Sequence, residues 1–226
     1  MIEDIINKID ALIKERSILK HPFYQSWKSG ELTREMLQEY AKQYYKHVAA
    51  FPQYLSALHS KIDDAGDRKL VLQNLMDEEH GPDNHPELWL RFSDALGLKR
   101  EDVGKTSARS ETNAFVNNFK FITSQKSAAE GIAAMYAYES QIPKVSEEKI
   151  AGLVKFYGVS GESGLEYFKV HMQADIEHSE AERKLIRKYA KDEETQKRVL
   201  EAVEQTLDAY WLMLTGIQKL CMQTGS

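Results

Sequence analysis

Three short stretches of this 226-residue chain carry side chains that could hold metal. The sharpest is His171-x-x-x-Asp175-x-x-His178. At about 100° per residue, positions i, i+4 and i+7 lie within roughly 60° of one another on a helix, so two imidazoles and a carboxylate share one face. The alternative is a solvated face in a polar segment, which Glu177, Glu180 and Glu182 nearby would suit. The second stretch runs from Asp77 to His85. Helix ends collect acids for solvation alone, yet Glu78 is i+3 from Leu75 and i+7 from Val71. That phase turns Glu78 inward while Glu79 faces water. A buried carboxylate must be paired, hydrogen-bonded or metal-bound. His85 precedes Pro86, which is expected to hold it out of helical geometry, free to turn back toward Glu78. The third is Glu139, which closes an apolar run at i+4 from Met135 and i+7 from Ile132. A hydrogen bond to a buried tyrosine is the competing account of it.

Together these stretches offer three carboxylates (Glu78, Glu139, Asp175) and three imidazoles (His85, His171, His178). That set suits two divalent first-row metals, iron or manganese, with no thiolate to select zinc. Two such ions outweigh the three carboxylate charges by one, leaving room for a bridging hydroxide. The spacing departs from the paired Glu-x-x-His of ferritin-like di-iron bundles. Eleven tyrosines are the other unusual feature, with Tyr24, Tyr40, Tyr44, Tyr45, Tyr54, Tyr136 and Tyr138 among apolar positions. Packing explains most of them, but beside an oxygen-activating metal pair a tyrosine also becomes a radical site. His21, His47 and His59 read as structural, with a haem ligand among them the alternative, and Cys221 lies too close to the chain end to serve as a nucleophile. No phosphate-binding glycine loop, nucleophile elbow or dinucleotide fingerprint occurs.

Helices must position these groups. Ile5, Ile9, Leu12 and Ile13 form one apolar stripe. A second helix is expected to open at Thr33 and run to Val48, with Pro52 breaking it before Tyr54 and Leu58 resume the pattern. A third covers 64–80, and a short fourth starts at Pro86 and ends at Gly97. Gly104 to Ser110 reads as a loop, followed by a helix through Phe115, Phe119 and Ile122. Ser127 and Glu130 form a capping box for an apolar helix that stops near Pro143. After it come two long helices, roughly 162–189 and 192–220, and a shorter one between. No stretch alternates long enough for a strand, and no linker divides the chain. The reading is a single all-α domain over 1–226, with seven to nine helices.

Composition agrees. Forty-two percent hydrophobic and 29% charged residues are ordinary for a globular protein, and 226 residues bury a core without a disulfide or zinc staple. A net charge of −5 argues against a nucleic-acid partner. One cysteine implies no oxidising compartment, the N-terminus lacks the basic start of a signal peptide, and no apolar window could span a membrane. The expected location is the cytoplasm.

Longer strings carry a resemblance from about residue 20 to 190. They are His21-Pro-Phe-Tyr24, Gly30-Glu-Leu-Thr33, Tyr40-Ala-Lys, Phe51-Pro-x-Tyr54-Leu-Ser-Ala, Asn74-Leu-Met-Asp-Glu78-Glu, Tyr138-Glu-Ser-Gln-Ile-Pro143 and Ala174-Asp-x-x-His178. In these the chain resembles the chlamydial protein associating with death domains and its bacterial relatives, within the haem-oxygenase-like superfamily that also holds TenA and PqqC. The resemblance implies a bundle of about seven main helices with a dinuclear Fe/Fe or Mn/Fe centre on Glu78, His85, Glu139, His171, Asp175 and His178. It implies para-aminobenzoate synthesis for folate, using dioxygen and an external reductant, in which the protein's own tyrosine is cleaved and becomes the product ring. That tyrosine would be Tyr24, with Tyr40 as a radical relay or second source and Lys149 as the amino donor. Such a protein turns over about once. A homodimer is the expected assembly. TenA-type thiaminase activity is not expected, because its cysteine nucleophile has no counterpart before Cys221. Nor is a death-domain partner, since the C-terminal segment carries no readable receptor-binding element. Two other readings remain open: a dimetal oxygenase acting on an external small molecule, and an interaction protein whose metals are structural.

Overall fold

A computed structural model describes residues 4–223, without the side chains of 221–223. The Cys221 side chain and the chain ends therefore lie outside the described residues. Local signals in the sequence open most of the helices. Asp4 caps α1 (Ile5–Glu15), whose Ile5, Ile6 and Ile9 are buried. The His21 ring caps α2 (Pro22–Ser29) by accepting from the Phe23 N–H at 3.0 Å. Thr33 caps α3 (Arg34–Val48), and Pro52 sits in the first turn of α4 (Phe51–His59). Asp64 caps α5 (Ala65–Glu79), Asn84 caps α6 (His85–Ala95), and a short α7 (Arg100–Lys105) precedes α8 (Ser110–Gln125). The Ser127–Glu130 capping box opens α9 (Ala128–Glu139). Pro143 then lies in the first turn of α10 (Ile142–Phe156), before α11 (Glu162–Tyr189) and α12 (Glu193–Gln223).

Seven of these helices (α3, α5, α8, α9, α10, α11 and α12) run for twelve residues or more, the expected main bundle. No strand occurs among the described residues, and one apolar cluster runs through the whole bundle. The shorter helix expected after Pro143 is α10, which precedes both long ones. Two local expectations are corrected. Gly104 is helical, in α7, so the loop begins only at Thr106. His85 is not held out of the helix but is its first residue. Asn84 Oδ1 accepts from the Glu87 N–H at 3.0 Å, and this cap sets the helix start one residue before Pro86 despite the pre-proline preference.

Helix α9 is the central element. Every residue from Ala129 to Glu139 is buried, between α11, α12 and α8. An all-round apolar helix can end in a carboxylate only where something at its end receives it. Helix α10 packs on α11 and on α2, and one glycine sets the second approach. A Cβ on Gly152 would stand 2.7 Å from Cδ1 and Nε1 of Trp27. Only a residue without a side chain lets the two helices meet there, one turn from Lys149. Among the described residues, no helix is long and apolar enough to cross a membrane.

Candidate metal centre

The last turn of α5 supplies Glu78, the first residue of α6 His85, the last residue of α9 Glu139, and one face of α11 His171, Asp175 and His178. All six are buried. They form two triads, Glu78–His85–His171 and Glu139–Asp175–His178, and within each the donor atoms lie within 4.8 Å of one another. In the first, His85 Nδ1 is 2.9 Å from Glu78 Oε2, His171 Nε2 is 4.0 Å from Glu78 Oε1, and the two rings lie 4.1 Å apart. In the second, His178 Nδ1 is 3.6 Å from Asp175 Oδ1 and 3.8 Å from Glu139 Oε1.

Surrounding groups aim these donors. His171 Nδ1–H donates to the Tyr167 carbonyl at 2.7 Å, which leaves the Nε2 lone pair for a cation. His178 Nε2 lies 3.0 Å from Asp77 Oδ2, so its Nδ1 faces the triad. Asn74 Nδ2 donates to both Glu139 oxygens, at 2.9 and 3.3 Å. What remains is a set of poorly answered atoms: Asp175 Oδ2 and His178 Nδ1 are buried without a hydrogen-bond partner, and His85 Nδ1 has only the Glu78 carboxylate, out of line at 2.9 Å. Buried carboxylates and imidazoles that face one another with too few donors among them are what divalent cations satisfy. The residues fit a dinuclear centre.

The electrostatics point the same way. Burial, with the charges of Glu139 and Glu78, pushes Asp175 up to about 8 against the pull of His178. Burial alone would lower His178, but Asp175, Glu139 and Asp77 hold it at about 10. Burial also opposes the charged form of His85, yet Glu78 raises it overall. Burial and the neighbouring His85 push His171 well below the usual imidazole range. Carboxyls and imidazoles are thus borrowing protons where metal charge would otherwise stand.

Beside the triads lies a second buried cluster. The Tyr24 hydroxyl bonds those of Tyr40 at 3.2 Å and Tyr210 at 3.4 Å. Tyr210 bonds Tyr44 at 3.2 Å, and Tyr44 bonds Tyr138. Five phenols therefore form one chain of hydrogen bonds. Lys149 Nζ sits among the rings, 5.4 Å from the centroid of Tyr24, 5.3 Å from Tyr40 and 4.9 Å from Tyr44. Burial lowers the Lys149 ammonium to about 7 and raises the Tyr24 phenol to about 12. Lys149 is close enough to His171 for its charge to depress that imidazole. Tyr24, Tyr40 and Lys149 thus lie together in one buried cluster. Of the other tyrosines singled out, Tyr136 points elsewhere, hydrogen-bonded to Asp10 and Arg183, and Tyr45 is only half-buried.

Several residues escaped the sequence reading. Tyr210 and Tyr167 belong to the aromatic wall, and Asn74 and Asp77 orient ligands. Asn74 and Asp77 sit four and one residues before Glu78, so helical phase could have flagged Asn74. Glu182, which the solvated-face alternative would expose, is buried against Glu139. His47 is fully buried, with neither ring nitrogen hydrogen-bonded, packed on Phe115 and Tyr138.

Three spaces reach the triads, one of them a cavity of about 20 Å³ against His178. An enclosed cavity of about 10 Å³ is lined by His47, Phe51, Glu78, Tyr138, Tyr167, His171 and Asp175. An open surface groove of about 740 Å³ between α1, α2 and α11 reaches Asp175 from the other side.

The TENA/THI-4/PQQC family matches residues 8–216 of the chain. A 4-aminobenzoate synthase of Chlamydia muridarum is 43% identical over 92% of this chain and 87% of its own. A 4-aminobenzoate synthase of Nitrosomonas europaea is 43% identical over 94% of this chain and 90% of its own. Among solved structures, a domain with a haem oxygenase-like fold from Shewanella denitrificans superposes with a TM-score of 0.83 at 15% identity, covering 98% of this chain and 94% of that one. The fold described above is therefore haem-oxygenase-like.

Proposed function

This chain belongs to the TENA/THI-4/PQQC family, and from that premise we propose that it is a 4-aminobenzoate synthase whose own side chains supply the product. The observation that carries this reading is the position of Lys149. A buried amine held near neutrality lies about 5 Å from the rings of Tyr24 and Tyr40, beside two metal-binding triads. The enclosed cavity on those triads, about 10 Å³, is at the lower limit for a single water, and an aromatic substrate does not fit it. The tyrosines in the wall of that cavity are Tyr138 and Tyr167, and Tyr24 stands behind it, linked to Tyr138 through the phenols of Tyr210 and Tyr44.

Glu78, His85 and His171 would hold one metal, and Glu139, Asp175 and His178 the other. Iron at both positions, or manganese and iron, suits this donor set. When bound, such a pair supplies activation of dioxygen with electrons from an external reductant. The chain's residues do the rest. His171 is kept in one tautomer by the Tyr167 carbonyl, and Asn74 and Asp77 fix Glu139 and His178. Aromatic packing excludes water from Tyr24, whose hydroxyl protons can pass only to the neighbouring phenols of Tyr40 and Tyr210. Tyr24 furnishes the ring, and Tyr40 serves as relay or second source. Lys149 supplies nitrogen as the neutral amine that burial favours above about pH 7.

Aerobic incubation of metal-loaded protein with a reductant and no added substrate tests this. The expected result is 4-aminobenzoate at no more than about one equivalent, with matching mass loss at Tyr24 and Lys149 in peptide maps. Unchanged masses with continued oxygen uptake would assign the site to an external substrate, for which the open groove at Asp175 is the entrance.

A further inference from the structure

The two triads are not balanced. The first has one carboxylate and two imidazoles, the second two carboxylates and one imidazole. Next to the second stands another carboxylate that none of the six-residue pattern includes. Glu182 is one turn beyond His178 and two turns beyond Asp175 on α11, so it projects from the same helical face. It is 7% exposed, its carboxyl lies against that of Glu139, and its Oε2 is buried without any hydrogen-bond partner. No salt bridge to a lysine or arginine answers it among the described residues. It also lines, with Asn74 and His178, a cavity of about 20 Å³ on the side of the triad away from the tyrosines.

We propose that Glu182 is a seventh metal-binding side chain, which joins Glu139, Asp175 and His178 in holding one of the two ions. The proposal rests on the reading of the triads as a metal centre. Two carboxylates do not face each other in a protein core without a proton or a cation between them. A surface acid would relieve the contact by rotating into water, but Glu182 is buried beside apolar side chains of α4, α5 and α9. The Oε2 lone pairs have no donor to accept from, whereas a divalent ion beside Glu139 satisfies them at once. The consequence is a lopsided centre. The Glu139 half carries three carboxylates to one imidazole and is the harder site, favouring the ion of higher charge.

Titration of metal-free full-length protein with Mn²⁺, followed by the electron paramagnetic resonance signal of the free ion, separates the possibilities. Wild type is expected to bind two ions. Glu182→Gln keeps size and can donate to Glu139, so it is expected to weaken one of the two by tenfold or more and leave the other within twofold. Its metal-free melting temperature should equal or exceed that of wild type, because an amide facing Glu139 replaces a second carboxyl there. Two ions bound at wild-type affinity by Glu182→Gln would overturn the proposal while leaving the dinuclear centre standing. Failure of wild type to bind any Mn²⁺ would instead remove the centre itself, and the proposal with it. Should the glutamine variant not fold, Glu182→Asp keeps the charge but shortens the reach by one methylene. Weakening of one ion in that variant supports ligation by Glu182, and unchanged binding of both refutes it.

Discussion

The triads and the tyrosine cluster share one core yet solve burial in opposite ways. Around Tyr24 the polar atoms satisfy one another, phenol to phenol, and the single base, Lys149, is drawn by burial toward its neutral form. Around Asp175 and Glu139 the polar atoms outnumber their partners, and the charges stay because protons are borrowed to hold them. One region is complete as folded. The other is a mould for cations. Removing metal should therefore damage only one of them, and the pH dependences of the two should run in opposite directions.

The largest effect expected is that of chelation. Asp175 stands at about 8 against 3.8 for an ordinary aspartate, and His178 at about 10 against 6.5. Both are raised, so in the metal-free protein the stability they contribute is present at low pH and lost as pH rises, through about 8 and then about 10. Chelator should lower the melting temperature by roughly 10 °C at pH 8 and by clearly less at pH 5. A drop that is equal at both pH values would break the comparison. Lys149 has the opposite sign. It is depressed to about 7 from 10.5, so the stability it contributes is present above 10.5 and lost as pH falls toward 7. Lys149→Met should therefore stabilise the protein by about 2 kcal/mol at pH 6, less at pH 9, and abolish 4-aminobenzoate formation. Melting curves at the two pH values read the first effect and product assay the second.

Two smaller substitutions sharpen the contrast on the tyrosine side. Gly152→Ala drives a methyl into the Trp27 ring, and should cost about 1–2 kcal/mol after the gain in helix propensity. It should also lower product yield while metal content, measured by elemental analysis, stays at two ions per chain. Tyr24→Phe removes a hydroxyl that bonds only other phenols, so its cost should be about 1 kcal/mol in denaturant titrations. Product is lost in that variant but bound metal is not. Loss of metal from Tyr24→Phe would show that the two regions are not separable.

Periodicity made the metal half legible and the aromatic half only partly so. His171, Asp175 and His178 share a face because a helix repeats every 3.6 residues, and Glu78 follows the phase of Val71 and Leu75. Glu182 obeys the same rule, but Glu177 and Glu180 beside it are exposed, and an acidic neighbourhood hides one inward carboxylate among outward ones. Lys149 shares the apolar stripe of Ile142, Val145 and Leu153, so its phase points inward, but what it meets there depends on the approach of α10 to α2 at Gly152, a contact between residues far apart in the chain. Tyr210 lies on a helix whose role is set only by its packing against α9 and α8. Local chemistry is written in spacing, whereas the convergence of Tyr24, Tyr210 and Lys149 is a property of the assembled bundle.

The burial of Tyr24 bears on the fate of the protein after it has acted. The ring that the proposed reaction consumes is wedged among Phe23, Trp27 and Tyr40 in a place where only 3% of the residue meets solvent. Losing it leaves a void of the kind that costs about 3–5 kcal/mol when an aromatic residue is cut back to alanine. A used chain would then open far more often than a fresh one and meet cellular proteases sooner. The same side chain would act as reagent and as timer, its departure marking the spent molecule for disposal and its amino acids for reuse.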